Sequence, residues 1–184
     1  METNVFWIPG PWRGRLGIVF RPRGGEWLDD ETRAWRGAGI DIIVSLLEPR
    51  EETELVLAGE SASSAASGLE FRSFPIPDRS VPNSLEAVAQ LASHIVNALR
   101  AGKNVALHWR QGIGRSGLIG AAALISSGQD PETALQTIGR SRGLEVPETN
   151  AQRQWILDFS SWLAARRAVQ PGATADRLRR RLSG

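Results

Sequence analysis

The sequence predicts a single α/β domain with a central, mostly parallel sheet flanked by helices. Three observations carry that prediction. Short β-branched runs alternate with helical patterns along the chain, the mark of strand–helix–strand units. The run Asp41–Leu47 (DIIVSLL) is apolar without alternation, as in a strand buried on both faces. The chain has 184 residues, 41% hydrophobic and 23% charged, which suits one domain with a core of its own and argues against disorder.

Asn4–Ile8 and Leu16–Phe20 read as short strands separated by Pro and Gly. Leu28-Asp29-Asp30-Glu31 opens a helix by an Asp cap with acids in the first turn, and Gly37 or Gly39 stops it. After the Asp41–Leu47 strand, Glu51–Ala66 reads as one helix ending at Gly68, and Leu69–Ile76 as another strand. Asn83 or Ser84 caps a long amphipathic helix with Leu85, Val88, Leu91, Ile95 and Leu99 on one face; Gly102 ends it. Asn104–Trp109 is the fifth strand. Ser116 starts a small-residue helix to about Ser127, Pro131 opens another to about Gly139, and Pro147–Arg167 is the last. Residues 1–168 form the expected domain. Residues 169–184 form a basic tail expected to fray, with Arg177, Arg179, Arg180 and Arg181 more simply a solvated run than a nucleic-acid contact.

Composition narrows the chemistry. There are no cysteines and two histidines, His94 and His108, so disulfides, thiolate–metal sites and a cysteine nucleophile are all excluded, and no metal or cofactor is called for. The isoelectric point of about 10.2 sits beside a net charge of only +2 because Tyr and Cys are lacking and little titrates between carboxylates and guanidinium. It does not point to nucleic acid. The first residues lack a basic segment followed by an apolar one, and no apolar stretch approaches the ~20 residues of a membrane span. A cytoplasmic protein is therefore expected, and the preference for Arg over Lys fits a GC-rich bacterial coding sequence.

The informative stretch is Val105–Gly117, which runs strand, Gly-rich loop, helix start. Such a loop can turn several N–H groups to one point, with the positive end of the helix behind them. Gly112 and Gly114 keep side chains out of the way, and Arg115 can offer a two-pronged guanidinium to phosphate oxygens. Gly112-x-Gly114-x-x-Gly117 formally matches the dinucleotide fingerprint. It fails on context: no strand separates the following helix from Glu132, and Arg115 sits where a pyrophosphate would have to approach.

His108–Ser116 resembles the signature loop of the protein-tyrosine and dual-specificity phosphatases: His-Cys, five residues, then Arg and Ser or Thr. Here the five are Arg110, Gln111, Gly112, Ile113 and Gly114. Asp78, in Phe74-Pro75-Ile76-Pro77-Asp78, lies 31 residues before Trp109, where small members of that family carry the general acid. Val146–Gln152 is similar to the segment whose Gln positions the hydrolytic water. The resemblance implies the cysteine-phosphatase, dual-specificity-like fold and phosphomonoester hydrolysis through a cysteinyl-phosphate. It implies Asp78 as acid, Arg115 as oxyanion ligand, Ser116 as the group behind the nucleophile and Gln152 as the water-positioning residue. His108, Arg110, Gln111, Gly112, Ile113, Gly114 and Arg115 would bind substrate, a phosphorylated protein or small phosphomonoester, with the His108 ring orienting the loop and Arg110 at the rim.

The departure is Trp109, which occupies the cysteine position. Indole is no nucleophile at neutral pH, so the chain is expected not to run the covalent reaction. Its bulk is expected to fill the cradle made for phosphate, and no other residue is placed for in-line attack. Two histories fit: an active phosphatase altered at this codon, or a native pseudophosphatase that binds a phosphorylated ligand or partner. Retention of Asp78, Arg115, Ser116 and Gln152 together favours the first.

Overall fold

Strand β5 (Val105–His108) is the middle of the sheet because nothing in it is polar except its last residue, and both of its faces are covered. In this computed structural model, which describes residues 3–78, 80–110, 114–144 and 146–169, the strand order is β1-β2-β5-β3-β4. The other strands are β1 (Val5–Ile8), β2 (Leu16–Val19), β3 (Ile42–Ser45) and β4 (Glu70–Ser73). Only the β1–β2 pair is antiparallel; β2–β5, β5–β3 and β3–β4 run parallel. The expected mostly parallel sheet is thus present, with β5 flanked by two parallel neighbours.

Alternation along β5 sends its side chains to two cores. Val105 and Leu107 join the larger core beneath α4 (Leu85–Arg100), α5 (Gly114–Ser126), α6 (Pro131–Arg142) and α7 (Asn150–Val169). Ala106 joins a smaller one with Val19, Trp35, Ile40, Ile43 and Leu69, beneath α1 (Leu28–Gly37) and α3 (Glu60–Ala66). Helix α5 is buried along nearly its whole length, which explains its Gly and Ala content: Gly120 has Ile138 Cδ1 only 2.8 Å from where a Cβ would sit.

Ser84, one of the two expected candidates, caps α4, whereas α6 runs past the expected Gly139 to Arg142 and is closed by Asp130 at its start and Gly143 at its end. Ser84 Oγ accepts from Ala87 N at 3.1 Å, and Asp130 Oδ1 accepts from Thr133 N at 3.0 Å just ahead of Pro131. Gly143 ends α6 in the left-handed region at φ 65°. The start of α1 differs. A 3₁₀ turn, Gly25–Trp27, leads into it, no side chain caps it, and Asp29 instead accepts from the Ser63 hydroxyl on α3. Helix α7 begins at Asn150, later than the expected Pro147.

The larger correction concerns Glu51–Ala66, which is two helices, α2 (Pro49–Glu54) and α3. The break is made by long-range contacts. Val56 takes φ 56°, its carbonyl accepts from Gly25 N at 3.0 Å, and Leu57 turns into a small core with Leu28 and Leu47. The helix propensity of Glu51–Glu54 could not reveal a break imposed from elsewhere. Its consequence is functional: Glu51 and Glu60 approach β5 from separate helices.

The expected tail lies outside the described residues from 170 onward. Among the described residues no helix is long and apolar enough to cross a membrane.

Candidate active site

The site sits at the carboxyl ends of β3 and β5, where open parallel sheets place ligands. Ser45 and His108 are register partners, and Leu46 N donates to His108 O at 3.0 Å, so the two strands leave the sheet side by side. The chain after β4 follows them: Phe74 N donates to Ser45 O and Ile76 N to Leu46 O. This continued pairing carries Asp78 over the end of β5, although Asp78 is far off in sequence. Asp78 N donates to Glu48 Oε2 at 3.2 Å.

Arg115, on the first turn of α5, is 1% exposed. Its guanidinium is gripped from several sides. Nη1 donates to Glu51 Oε2 and Nη2 to Glu51 Oε1, both at 2.6 Å, a two-pronged carboxylate pair. Nη1 also reaches Ile76 O at 2.9 Å and Leu46 O at 3.2 Å, and Nη2 reaches Asp78 Oδ1 at 3.3 Å. Arg115 Nε is buried and has no hydrogen-bond partner among the described residues. The sequence places the Arg115 prongs on a phosphate; here Glu51 holds both. Burial alone would raise the Glu51 carboxyl, but the Arg115 guanidinium and the Glu48 N–H outweigh it and hold it below the usual range.

The Trp109 indole lies against the same guanidinium, with Arg115 Cζ 4.5 Å from the ring centroid. That is cation–π distance, and the half-buried ring covers one face of the charge. Arg110 is at the rim as expected. It donates to Glu54 Oε2 at 2.7 Å, which lowers the Glu54 carboxyl and raises the guanidinium.

His108 faces away from the loop. Its ring is fully buried, 5.6 Å from Trp35 centroid to centroid, and Nε2 lies 2.6 Å from Glu60 Oε1 without hydrogen-bond alignment. The reason is the strand's period of two: His108 shares the Ala106 side of the sheet, under α1 and α3, and not the loop side. Glu52 is raised by burial and by Glu60, against His108.

Gln152 is 1% exposed on the first turn of α7; its Oε1 accepts from Glu148 N at 3.1 Å. A Cβ on Gly114 would lie 2.5 Å from Glu148 Oε2 and 2.9 Å from Gln152 Nε2, so the start of α7 is laid directly on the start of α5. Ser116 is fully buried behind this turn. Gln111, Gly112 and Ile113 lie outside the described residues. Asp78, Trp109, Arg110, Gly114, Arg115, Ser116 and Gln152 are therefore gathered at one end of the sheet, with His108 directed to its opposite face.

Sequence reasoning missed Glu51, Glu60 and Trp35. Glu51 had a signal. It closes a capping box with Glu48 around Pro49, immediately past the carboxyl end of a buried strand, where an acid has a cation to find. Among the described residues no group of three or more His, Asp and Glu side chains gathers to hold a metal.

The mostly parallel sheet, with Arg115 on the first turn of the helix that follows its central strand, defines an α/β protein of a kind that commonly holds anions at such a helix start. The comparisons give the family. The model described as "Polymorphic toxin system, DSP-PTPase phosphatase" matches residues 19–129. The solved structure of Tk-PTP in its active form is 30% identical, covering 80% of this chain and 92% of that one, with a TM-score of 0.66. The chain belongs to the protein-tyrosine and dual-specificity phosphatase family. Kinase-associated phosphatase, solved with its catalytic-site cysteine changed to serine, shares the fold at 20% identity and TM-score 0.79, covering 90% and 98% of the two chains. The phosphatase PTPMT1, in complex with PI(5)P, does so at 21% and 0.71, covering 87% and 98%. No curated protein sequence matches the chain.

Proposed function

We propose that residues 108–116 are the phosphate-binding loop of a phosphatase whose attacking atom is missing, and that the chain does not turn over phosphomonoesters. The observation that carries this is the Trp109 indole resting on the Arg115 guanidinium at 4.5 Å. In the covalent route a thiolate attacks phosphorus, the ester oxygen leaves with a proton from the general acid, and water then releases phosphate from sulfur. Asp78 would be that acid, Arg115 the ligand of the equatorial oxygens, Ser116 the hydroxyl behind the nucleophile and Gln152 the orienter of water. Asp78 and Arg115 meet at 3.3 Å, which supports a proton donor and an oxyanion ligand acting at one site. Without the sulfur, the first step has no electron pair to begin it, and a loss on the order of 10⁴–10⁶ in rate follows. The substrate class would be a phosphorylated protein or a small phosphomonoester.

The test is Trp109→Cys. This variant should hydrolyse p-nitrophenyl phosphate while the native chain stays at background. Arg115→Lys or Asp78→Asn in that variant should each lower turnover by about 10² or more. An inactive Trp109→Cys variant overturns the reading.

A second reading, a native pseudophosphatase that binds a phosphorylated ligand, is favoured by one observation: the groove beside Trp109 is lined by arginines. Calorimetry of the native chain with phosphotyrosine, phosphoserine and vanadate tests it; a flat titration counts against it.

A further inference from the structure

His108 and Glu60 take part in no step described above, and both side chains are sealed from solvent, at 0% and 2% exposure. Nε2 of the imidazole lies 2.6 Å from Oε1 of the carboxyl. Neither the ring nitrogens nor the carboxyl oxygens have an aligned hydrogen-bond partner among the described residues. Burying polar groups with so little to receive them costs stability, and an apolar pair of similar volume often does better. The placement shows what the pair does instead. Glu60 opens α3, the helix that the turn at Val56 separates from α2. His108 closes β5, one residue before Trp109. Its ring stands 5.6 Å from Trp35 of α1, its carbonyl accepts from Leu46 N at 3.0 Å, and Glu60 meets its Nε2. Side chains alternate along a strand, so a ring fixed on one face sets the direction in which the next residue points from the other. That next residue carries the indole resting on Arg115.

We propose that Glu60 is a positioning residue: by holding the His108 ring beneath α1 and α3, it aims the side chain of residue 109 at the reacting phosphorus. This rests on the phosphatase reading for what is aimed, and on the buried contact alone for how. Glu60 itself lies on the face of the sheet away from the loop, so its whole effect passes through His108.

The test has two arms. In the proton–nitrogen NMR spectrum of the full native chain, the Trp109 indole N–H is assigned by its loss in Trp109→Ser. Glu60→Gln should move it, and should move it no further once His108→Gln is present. Thr32→Val is the control: it removes a hydroxyl bonded to Ser63 and Ser67 in the same buried α1–α3 layer, and should leave Trp109 in place. In the Trp109→Cys background, Glu60→Gln should slow the nitrophenolate burst about 10- to 100-fold, the penalty for a displaced reacting atom. Inhibition by inorganic phosphate should change less than about twofold, because Glu60 does not touch Arg115. The slowing should also disappear when His108→Gln is present. If Glu60→Gln does not fold, Glu60→Asp, which withdraws the carboxyl by one methylene, should move both readouts the same way. A Trp109 signal that ignores Glu60, or a burst and a phosphate affinity that fall together as they do in Thr32→Val, overturns the positioning role. The phosphatase reading fails by a different result, an inactive Trp109→Cys variant. If that happens while the Trp109 signal still answers to Glu60 through His108, the anchor stands and the loop assignment falls.

Discussion

Glu51→Gln isolates the grip on Arg115. The carboxylate receives two charge-assisted bonds at 2.6 Å from a guanidinium that is 1% exposed. Glutamine keeps the shape but supplies one acceptor instead of two and turns an NH₂ toward one guanidinium nitrogen. The positive charge is then left buried with Asp78 as its remaining carboxylate, 3.3 Å away and 57% exposed. Removing one partner of a buried pair costs about 3–5 kcal/mol. Part of that is recovered here: Ile76 O and Leu46 O still accept from Nη1, and the new amide still accepts one bond. A loss of about 3 kcal/mol is expected, equivalent to roughly 6–12 °C in Tm for a domain of this size. Thermal unfolding followed by circular dichroism reads it, and urea unfolding checks that the m-value is unchanged. The double variant Glu51→Leu with Arg115→Met removes both charges and should recover most of the loss. A Glu51→Gln shift below about 2 °C would refute the buried grip.

Other consequences follow from the same geometry. The folded-state Glu51 carboxyl lies below its ordinary 4.5 and the Glu52 carboxyl above it. Glu51 therefore contributes stability above its ordinary value that is lost as pH falls through its lowered one, whereas Glu52 costs stability as pH rises through its raised one. Urea midpoints from pH 3 to pH 7 should show Glu51→Gln flattening the acid limb, and Glu52→Gln raising stability at neutral pH. Val56→Asn should raise stability by about 1 kcal/mol, because a β-branched residue at φ 56° is strained and Asn is not; an unchanged Tm contradicts this. Gly114→Ala in the Trp109→Cys background should cut turnover more than stability. The new methyl meets Glu148 Oε2 and Gln152 Nε2 at 2.5 and 2.9 Å, so the Gln152 amide must shift; parallel losses in Tm and rate would argue against that.

Much of this architecture is written locally. The five strands, the Ser84 cap and the Pro131 start of α6 follow from β-branched runs, cap chemistry and proline placement, each readable within a few residues. What escaped the sequence is long-range. Nothing near Val56 announces that Gly25 will bind its carbonyl and split a helix. The His108 ring direction depends on the face that β5 shows to Trp35 and Glu60. At the site itself, Arg115 and the convergence of Asp78 on it were legible from motif spacing. The capture of both Arg115 prongs by Glu51 was not, because it needs α2 to start at the end of β3 while α5 starts at the end of β5.

If Trp109 occupies the place of an attacking sulfur, restoring that sulfur restores the first chemical step. Rapid mixing of p-nitrophenyl phosphate with the Trp109→Cys variant tests this most directly. A burst of about one nitrophenolate per chain, together with a transient mass increase of one phosphoryl group on residue 109 in the rapidly quenched protein, is the predicted result. No burst and no phosphorylated chain, in a variant that unfolds like the native protein, would contradict it.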